Sequence, residues 1–308
     1  VILGLSSRIE EFGEPGGLLQ ALLLGIKDDL SPLEARYFQR SGAMHILALS
    51  GMHLGIFAGF LILFIKPLLG KRRALLLVSL LLFPYISIAG YPPSLLRAYI
   101  MYSTYSLVVF FGYKPKSFNI LVFSFLIQGM IDPSSLLTLG AKLSFAALGG
   151  IILFSPLLFT LFRGLFPRFL KAGVASSLGA QVATLPLVAA SFGVYYPIGI
   201  LAGLVLSFAI LIFIWTGLLG LVFLDLPPIK ILSSQLLLLI YRGILLSAER
   251  FSRFPAVEIS VCSGILLSLT VWIFCLGLTL RRFLNILPRS NKEQVAERDD
   301  KLRFSQGA

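Results

Sequence analysis

Charge is scarce in this 308-residue chain: Asp, Glu, Lys and Arg make up 13% of it, against 57% hydrophobic residues. A water-soluble domain carries roughly a quarter charged residues, so this chain has too little polar surface to cover itself in water. Histidine and cysteine are nearly missing, with two of each. Cys262 and Cys275 share one apolar run, roughly 20 Å apart along a helix, too far to bridge. With so few His and Cys and no motif at metal-ligand spacing, neither metal nor cofactor is expected. No Gly-rich loop ending in Lys-Ser or Lys-Thr occurs, which excludes a nucleotide site of the Walker kind. No repeat of fixed period is found.

What is abundant is apolar sequence. Mean hydropathy is +0.93, and several runs of about 20 residues are each long enough to cross a bilayer core of about 30 Å. The expected fold is all-α, a polytopic transmembrane helix bundle. Nine spanning candidates lie at about 43–65, 74–90, 95–113, 117–131, 135–160, 172–191, 198–224, 231–247 and 257–280. Residues 1–40 are of mixed polarity and read as a short interfacial or surface helical segment. Residues 41–286 form the transmembrane domain, and the charged tail 287–308 reads as disordered. The chain opens on Val1 without a signal peptide, as expected for a piece of a longer protein.

Net charge is +12, and the loops sort by it. The first, third and fifth carry Lys66, Lys71, Arg72 and Arg73; Lys114 and Lys116; and Arg163, Arg168 and Lys171. The second, fourth and sixth carry no Lys or Arg. This alternation is the positive-inside pattern, and it places the N-terminal segment outside. The candidate at 231–247 contains Arg242, which leaves an interfacial position open for it.

Both histidines fall in one stretch, Ser41 to Gly55. On a continuous helix His45 and His53 are separated by about 12 Å and about 80°, so one metal cannot take both. Ser50 and His53 share a helix face at i and i+3. A nucleophilic pair would also need an orienting acid and an oxyanion hole, and no acid is near in sequence. Gly51, Gly55 and Gly59 form a small-residue stripe of the kind that lets helix backbones approach, which reads as helix packing. Other polar residues inside apolar runs are Arg97, Gln128, Lys142, Ser144, Gln181 and Arg242. Lys142, eight residues into its run, is expected on an internal hydrated path, because a charge facing lipid costs about 3 kcal/mol or more.

Phe38, Ser41-Gly42 and His45-Ile46-Leu47-Ala48-Leu49-Ser50-Gly51-Met52-His53 resemble the signature of the ComEC-type competence domain, a family of inner-membrane channels for DNA uptake. Pro93-Ser94-Leu95-Leu96-Arg97-Ala98, Asp132-Pro133 with Leu143-Ser144-Phe145, and Gln181-Val182-Ala183-Thr184-Leu185-Pro186 resemble further family segments in the expected order. Ala141-Lys142 stands where the family usually has Phe-Gln, and Gly203 where Asn is common. The oligonucleotide-binding and metallo-hydrolase-like domains that often flank the family's membrane part find no counterpart in these residues.

The resemblance implies a non-enzymatic, multi-pass channel in a bacterial inner membrane that moves single-stranded DNA into the cytoplasm. It implies His45, Ser50, His53, Arg97, Lys142, Ser144 and Gln181 as residues lining or bracing the DNA path. Implied partners are single-stranded DNA, membrane lipid, a separate motor ATPase, DNA receptor proteins and a further copy of the chain. Physics agrees in kind: a passing strand needs cations for phosphates and aromatic faces for bases, and the chain holds 26 Phe, 10 Tyr and 2 Trp. Two other readings stay open, an intramembrane hydrolase using Ser50 and His53, and a small-solute transporter built on the same bundle.

Overall fold

Long apolar runs satisfy their own backbone as helices, the only open-chain way to do so in lipid. The computed structural model describes residues 2–258 except 163, 165, 166 and 224–226, together with residues 266, 269, 270, 273, 274 and 277. Most of the expected span at 257–280, the whole of the tail segment 287–308 and both cysteines lie outside the described residues. Eleven helices are described, and the fold is an all-α bundle. The exception is a two-residue antiparallel pairing of β1 (Val194–Tyr195) with β2 (Val257–Glu258).

The first three helices are α1 (Ile2–Glu10), α2 (Glu14–Leu23) and α3 (Pro32–Arg40). Ser31 starts α3 with a reciprocal cap: its Oγ accepts from Glu34 N at 3.2 Å, and its own N–H donates to the Glu34 carboxylate at 2.8 Å. The N-terminal segment, expected at a surface, has α2 largely buried. Leu18, Leu19 and Leu22 of α2 are buried in the largest apolar cluster. They are seated against α10 (Gly199–Val222), where Gly217 and Gly220 leave notches. A Cβ at Gly217 would stand 2.8 Å from Leu19, and one at Gly220 2.8 Å from Phe12. Nor does the segment lie wholly at the Lys- and Arg-poor end. Glu11 pairs with Lys230 at 2.7 Å, whereas at the other end of α2 the Leu23 carbonyl accepts from Tyr85 Oη at 3.0 Å.

Helix α4 (Gly51–Ile88) is a hairpin of two helical arms. Gly70, at φ 73° and ψ 166°, breaks it in a conformation open essentially to glycine alone. The two arms fold back, so that Phe57 meets Tyr85 with ring centroids 4.8 Å apart and Leu54 and Ala58 share a cluster with Leu82 and Ile86. These arms correspond to the first two expected spans. The remaining helices are α5 (Pro93–Phe110), α6 (Ser117–Ile131), α7 (Pro133–Leu137), α8 (Leu139–Leu161), α9 (Arg168–Phe192) and α11 (Pro227–Ser252). Neighbours run antiparallel, as contacts between Ser79 and Ser103 and between Gly150 and Gly179 show. Among the described residues five helices are long and apolar enough to cross a membrane, one of them the α4 hairpin. The count of nine is not confirmed. α11 is one of the five, and its Arg242 lies 4.0 Å from Glu14.

Two ends of the bundle result. Residues 41–50, 89–92, 132–138 and 193–198 gather at one, and the basic turns at 66–73 and 111–116 at the other. Between α2, α3 and α11 opens a cavity of about 830 Å3, lined by Glu10, Glu14, Asp29, Glu34 and Tyr241 among others. Glu34 is buried there and accepts from Tyr241 Oη.

Candidate functional site where the signature segments meet

The run from residue 43 is not one helix. Met44–Leu47 form a 3-10 turn, Ala48 is extended, and α4 begins only after Ser50, which has φ −134° and ψ 174°. A serine preceding an apolar helix is a favoured N-cap. Ser50 N–H donates to His53 Nδ1 at 3.2 Å, and Ser50 Oγ lies 3.1 Å from the same nitrogen. Because Nδ1 receives a backbone N–H it is the unprotonated nitrogen, and Nε2 carries the hydrogen. His53 is 2% exposed, and its Nε2 has no hydrogen-bond partner. His45 stands on the 3-10 turn and is exposed, so the eight-residue helical relation between the histidines does not hold. No group of three or more His, Cys, Asp or Glu side chains is arranged for a metal among the described residues.

Neighbouring segments are brought against this cap. Ser94 Oγ donates to the Leu49 carbonyl, and a Cβ at Gly51 would stand 3.1 Å from the Ala98 methyl. Gly42, at φ 74°, approaches Gly199 so closely that a Cβ on it would lie 2.9 Å from the Gly199 Cα. Tyr195 of β1 donates its hydroxyl to Gln181 of α9. Four stretches distant in sequence thus converge at the end of the bundle whose loops lack Lys and Arg. Gly42 and Ser94 belong to the signature segments but were not among the expected site residues, and Tyr195 was not singled out from sequence. Ser94 was within reach, as the polar residue of a Pro-Ser pair opening a helix.

Arg97 is the most constrained member. It is 2% exposed, its Nη2 donates to the Gly140 carbonyl at 3.1 Å, and its guanidinium lies 5.7 Å from the Phe145 ring centroid. Nε and Nη1 have no partner, and no carboxylate pairs with it among the described residues. An unsatisfied buried donor costs about 1–3 kcal/mol, more when charged. Such a group calls for an acceptor from outside the chain, either water or an anionic oxygen. On α6, Gln128 is equally buried. Its Nε2 donates to Ser135 Oγ at 3.0 Å, while its Oε1 is unpartnered.

The other expected site residues are placed as follows. Lys142 is exposed in the first turn of α8. Thr138 ends α7 and caps α8, accepting from Ala141 N at 3.2 Å, so the apolar run is broken and Lys142 is not eight residues deep. Ser144 and Gln181 are half-buried on α8 and α9. The glycine stripe is not a uniform seam: Gly51 is tight, Gly55 has nothing within 4 Å, and Gly59 is 3.8 Å from Trp215. The closest backbone approach is instead between α8 and α9, where a Cβ on Gly150 would fall 2.2 Å from the Gly179 carbonyl oxygen.

Comparison with known proteins agrees with the motifs. The family model described as "Competence protein" matches residues 22–284, most of the chain. The chain is also 31% identical over 140 residues to ComE operon protein 3 of Bacillus subtilis (strain 168), a match covering 45% of this chain and 18% of that relative. No solved structure matches. The chain spans well under two thirds of the length of that relative. A multi-pass helical membrane protein with these four segments in order, matched over nearly its whole length, this chain belongs to the competence protein family.

Proposed function

We propose that this chain is the membrane-embedded conduit through which one strand of DNA passes into the cytoplasm during competence. Family membership supports a role in DNA uptake. The observation that carries the channel reading is Arg97, a buried cation with two N–H-bearing nitrogens left unpartnered beside the signature helix. A phosphodiester oxygen is the acceptor such a group fits. His53 Nε2–H offers a second unfilled donor on the adjoining helix start. His45, Lys142, Ser144 and Gln181 flank these two without matching their burial. In this reading the protein sits in the bacterial inner membrane, admits single-stranded DNA by the Lys- and Arg-poor end, and is driven by a separate motor ATPase fed by DNA receptor proteins. A further copy of the chain belongs to the same proposal.

The hydrolase reading finds less support. Ser50 Oγ does reach His53 Nδ1, but Nδ1 is already held by the Ser50 backbone, and among the described residues no acid orients Nε2. Photocrosslinkers placed at 45, 53, 97 and 142 during uptake of labelled DNA test the proposal. Crosslinks at 53 and 97 are expected. Contact at none of the four removes the conduit assignment. Transport of a small ion or metabolite by reconstituted protein that ignores single-stranded DNA would establish the solute transporter instead.

A further inference from the structure

The opposite end of the bundle has its own constellation. The turn at Gly70 carries Lys66, Lys71, Arg72 and Arg73, and the turn between α5 and α6 carries Lys114 and Lys116; all six are exposed. The two turns touch. A Cβ on Gly112, which has φ 85°, would stand 3.6 Å from Arg72 Nη1. No Asp or Glu occurs between Glu34 and Asp132, and among the described residues none of the six is in an ion pair.

Exposed apolar residues are interleaved with these cations. Leu68 is 82% exposed, Phe111 70% and Tyr113 74%, with Phe64 and Phe118 exposed just beyond them. A surface meant only for a polyanion in water would not leave Leu68 bare between four cations. One meeting an amphiphile would: aromatic and aliphatic groups sit at the hydrocarbon boundary, and Lys and Arg reach the headgroup level above them.

We propose that the Gly70 and Gly112 turns together form a binding site for acidic phospholipid. Arg72, lying on Gly112, joins Lys71 and Lys114 around a headgroup phosphate, and Leu68, Phe111 and Tyr113 border its acyl chains. The site fastens the α4 hairpin to α5 and α6 through the lipid. It is independent of the conduit reading.

The test is native mass spectrometry of the full chain in detergent with phosphatidylglycerol or phosphatidylcholine, alongside binding of a single-stranded oligonucleotide. The unaltered protein is expected to retain phosphatidylglycerol preferentially, with the preference shrinking as salt rises. Each of Arg72→Gln and Lys114→Gln is expected to lower that retention about fivefold, the value of one cation near an acidic surface. The control Arg250→Gln, at the other end, leaves it unchanged. Equal retention of the two lipids by the unaltered protein overturns the proposal without any variant. So does a loss of the same size in the control. If the two variants lose oligonucleotide binding while keeping phosphatidylglycerol, the surface belongs to nucleic acid and the proposal fails.

Discussion

Arg97 of α5 and Gly140 of α8 are joined by a single 3.1 Å hydrogen bond from guanidinium to carbonyl, among the described residues the only one satisfying a cation that is 2% exposed. A buried charge without an ion partner is a poor investment for stability alone. Arg97→Met therefore leaves thermal stability in detergent unchanged or slightly higher, while DNA uptake falls at least tenfold. Thermal melts and uptake assays on one set of variants check this. A large drop in stability would make Arg97 a structural residue.

The Ser50–His53 cap separates structure from function at a second position. A Gln at the third helical position can reach back to the cap N–H as His53 Nδ1 does. His53→Gln should keep stability within about 0.5 kcal/mol of the parent, and His53→Ala should cost about 1 kcal/mol. Uptake lost in both, measured beside chemical denaturation, assigns the Nε2–H to function. Uptake restored by Gln would confine His53 to capping.

Glycines differ sharply in what they tolerate. Gly150→Ala forces α8 from α9 and should cost about 1–3 kcal/mol, since the new methyl meets a backbone oxygen at 2.2 Å. Gly55→Ala meets nothing within 4 Å and should stabilise by up to about 1 kcal/mol through helix propensity. Opposite shifts in melting temperature are the expected readout.

Gly70 isolates the cost of conformation. A Cβ on it would meet nothing within 4 Å, yet its φ of 73° with ψ of 166° is strained for any other residue. Gly70→Ala should cost about 1–3 kcal/mol, whereas Gly140→Ala, equally open but helical, should not. Proteolysis near residue 70 compared with a melt of each variant checks the contrast.

Asp132 gives a pH dependence of known sign. Its carboxylate accepts from Ser134 Oγ at 2.6 Å, Ser135 N at 3.2 Å and Ser134 N at 3.0 Å, and these bonds, the Ser134 hydroxyl first, hold it below the usual carboxylate range. A depressed value means that the cap stabilises above the ordinary Asp pKa of about 4 and is lost as pH falls through the folded value. Melting temperature should therefore decline more steeply with acid in the parent than in Asp132→Asn.

Much of the bundle was legible because long apolar runs leave the chain few alternatives. The helix at 117–131 has the expected limits, and the basic residues 66–73 marked the hairpin turn. Helix α2 was not legible: its ten residues are too few to cross a membrane, and only the notches at Gly217 and Gly220 show that it is core. Gly55 failed for the converse reason, since a period of four says that a stripe exists but not which helix faces it. Lys142 was misplaced because Thr138 restarts the helix without interrupting the apolar pattern. Arg97 was visible as a charge in an apolar run, but its unfilled N–H groups depend on neighbours from α8.

Backbones that touch without a side chain between them cannot adjust by changing rotamer. At Gly150 and Gly179 helices α8 and α9 are in that condition, so mechanically they are one strut. Their boundary with α5 and α6 is made of long side chains, Arg97, Phe125 and Phe145, which can swing and reseat. Any widening of the bundle would fall on that boundary, and the strut would then carry Phe145 away from Arg97 as a single lever.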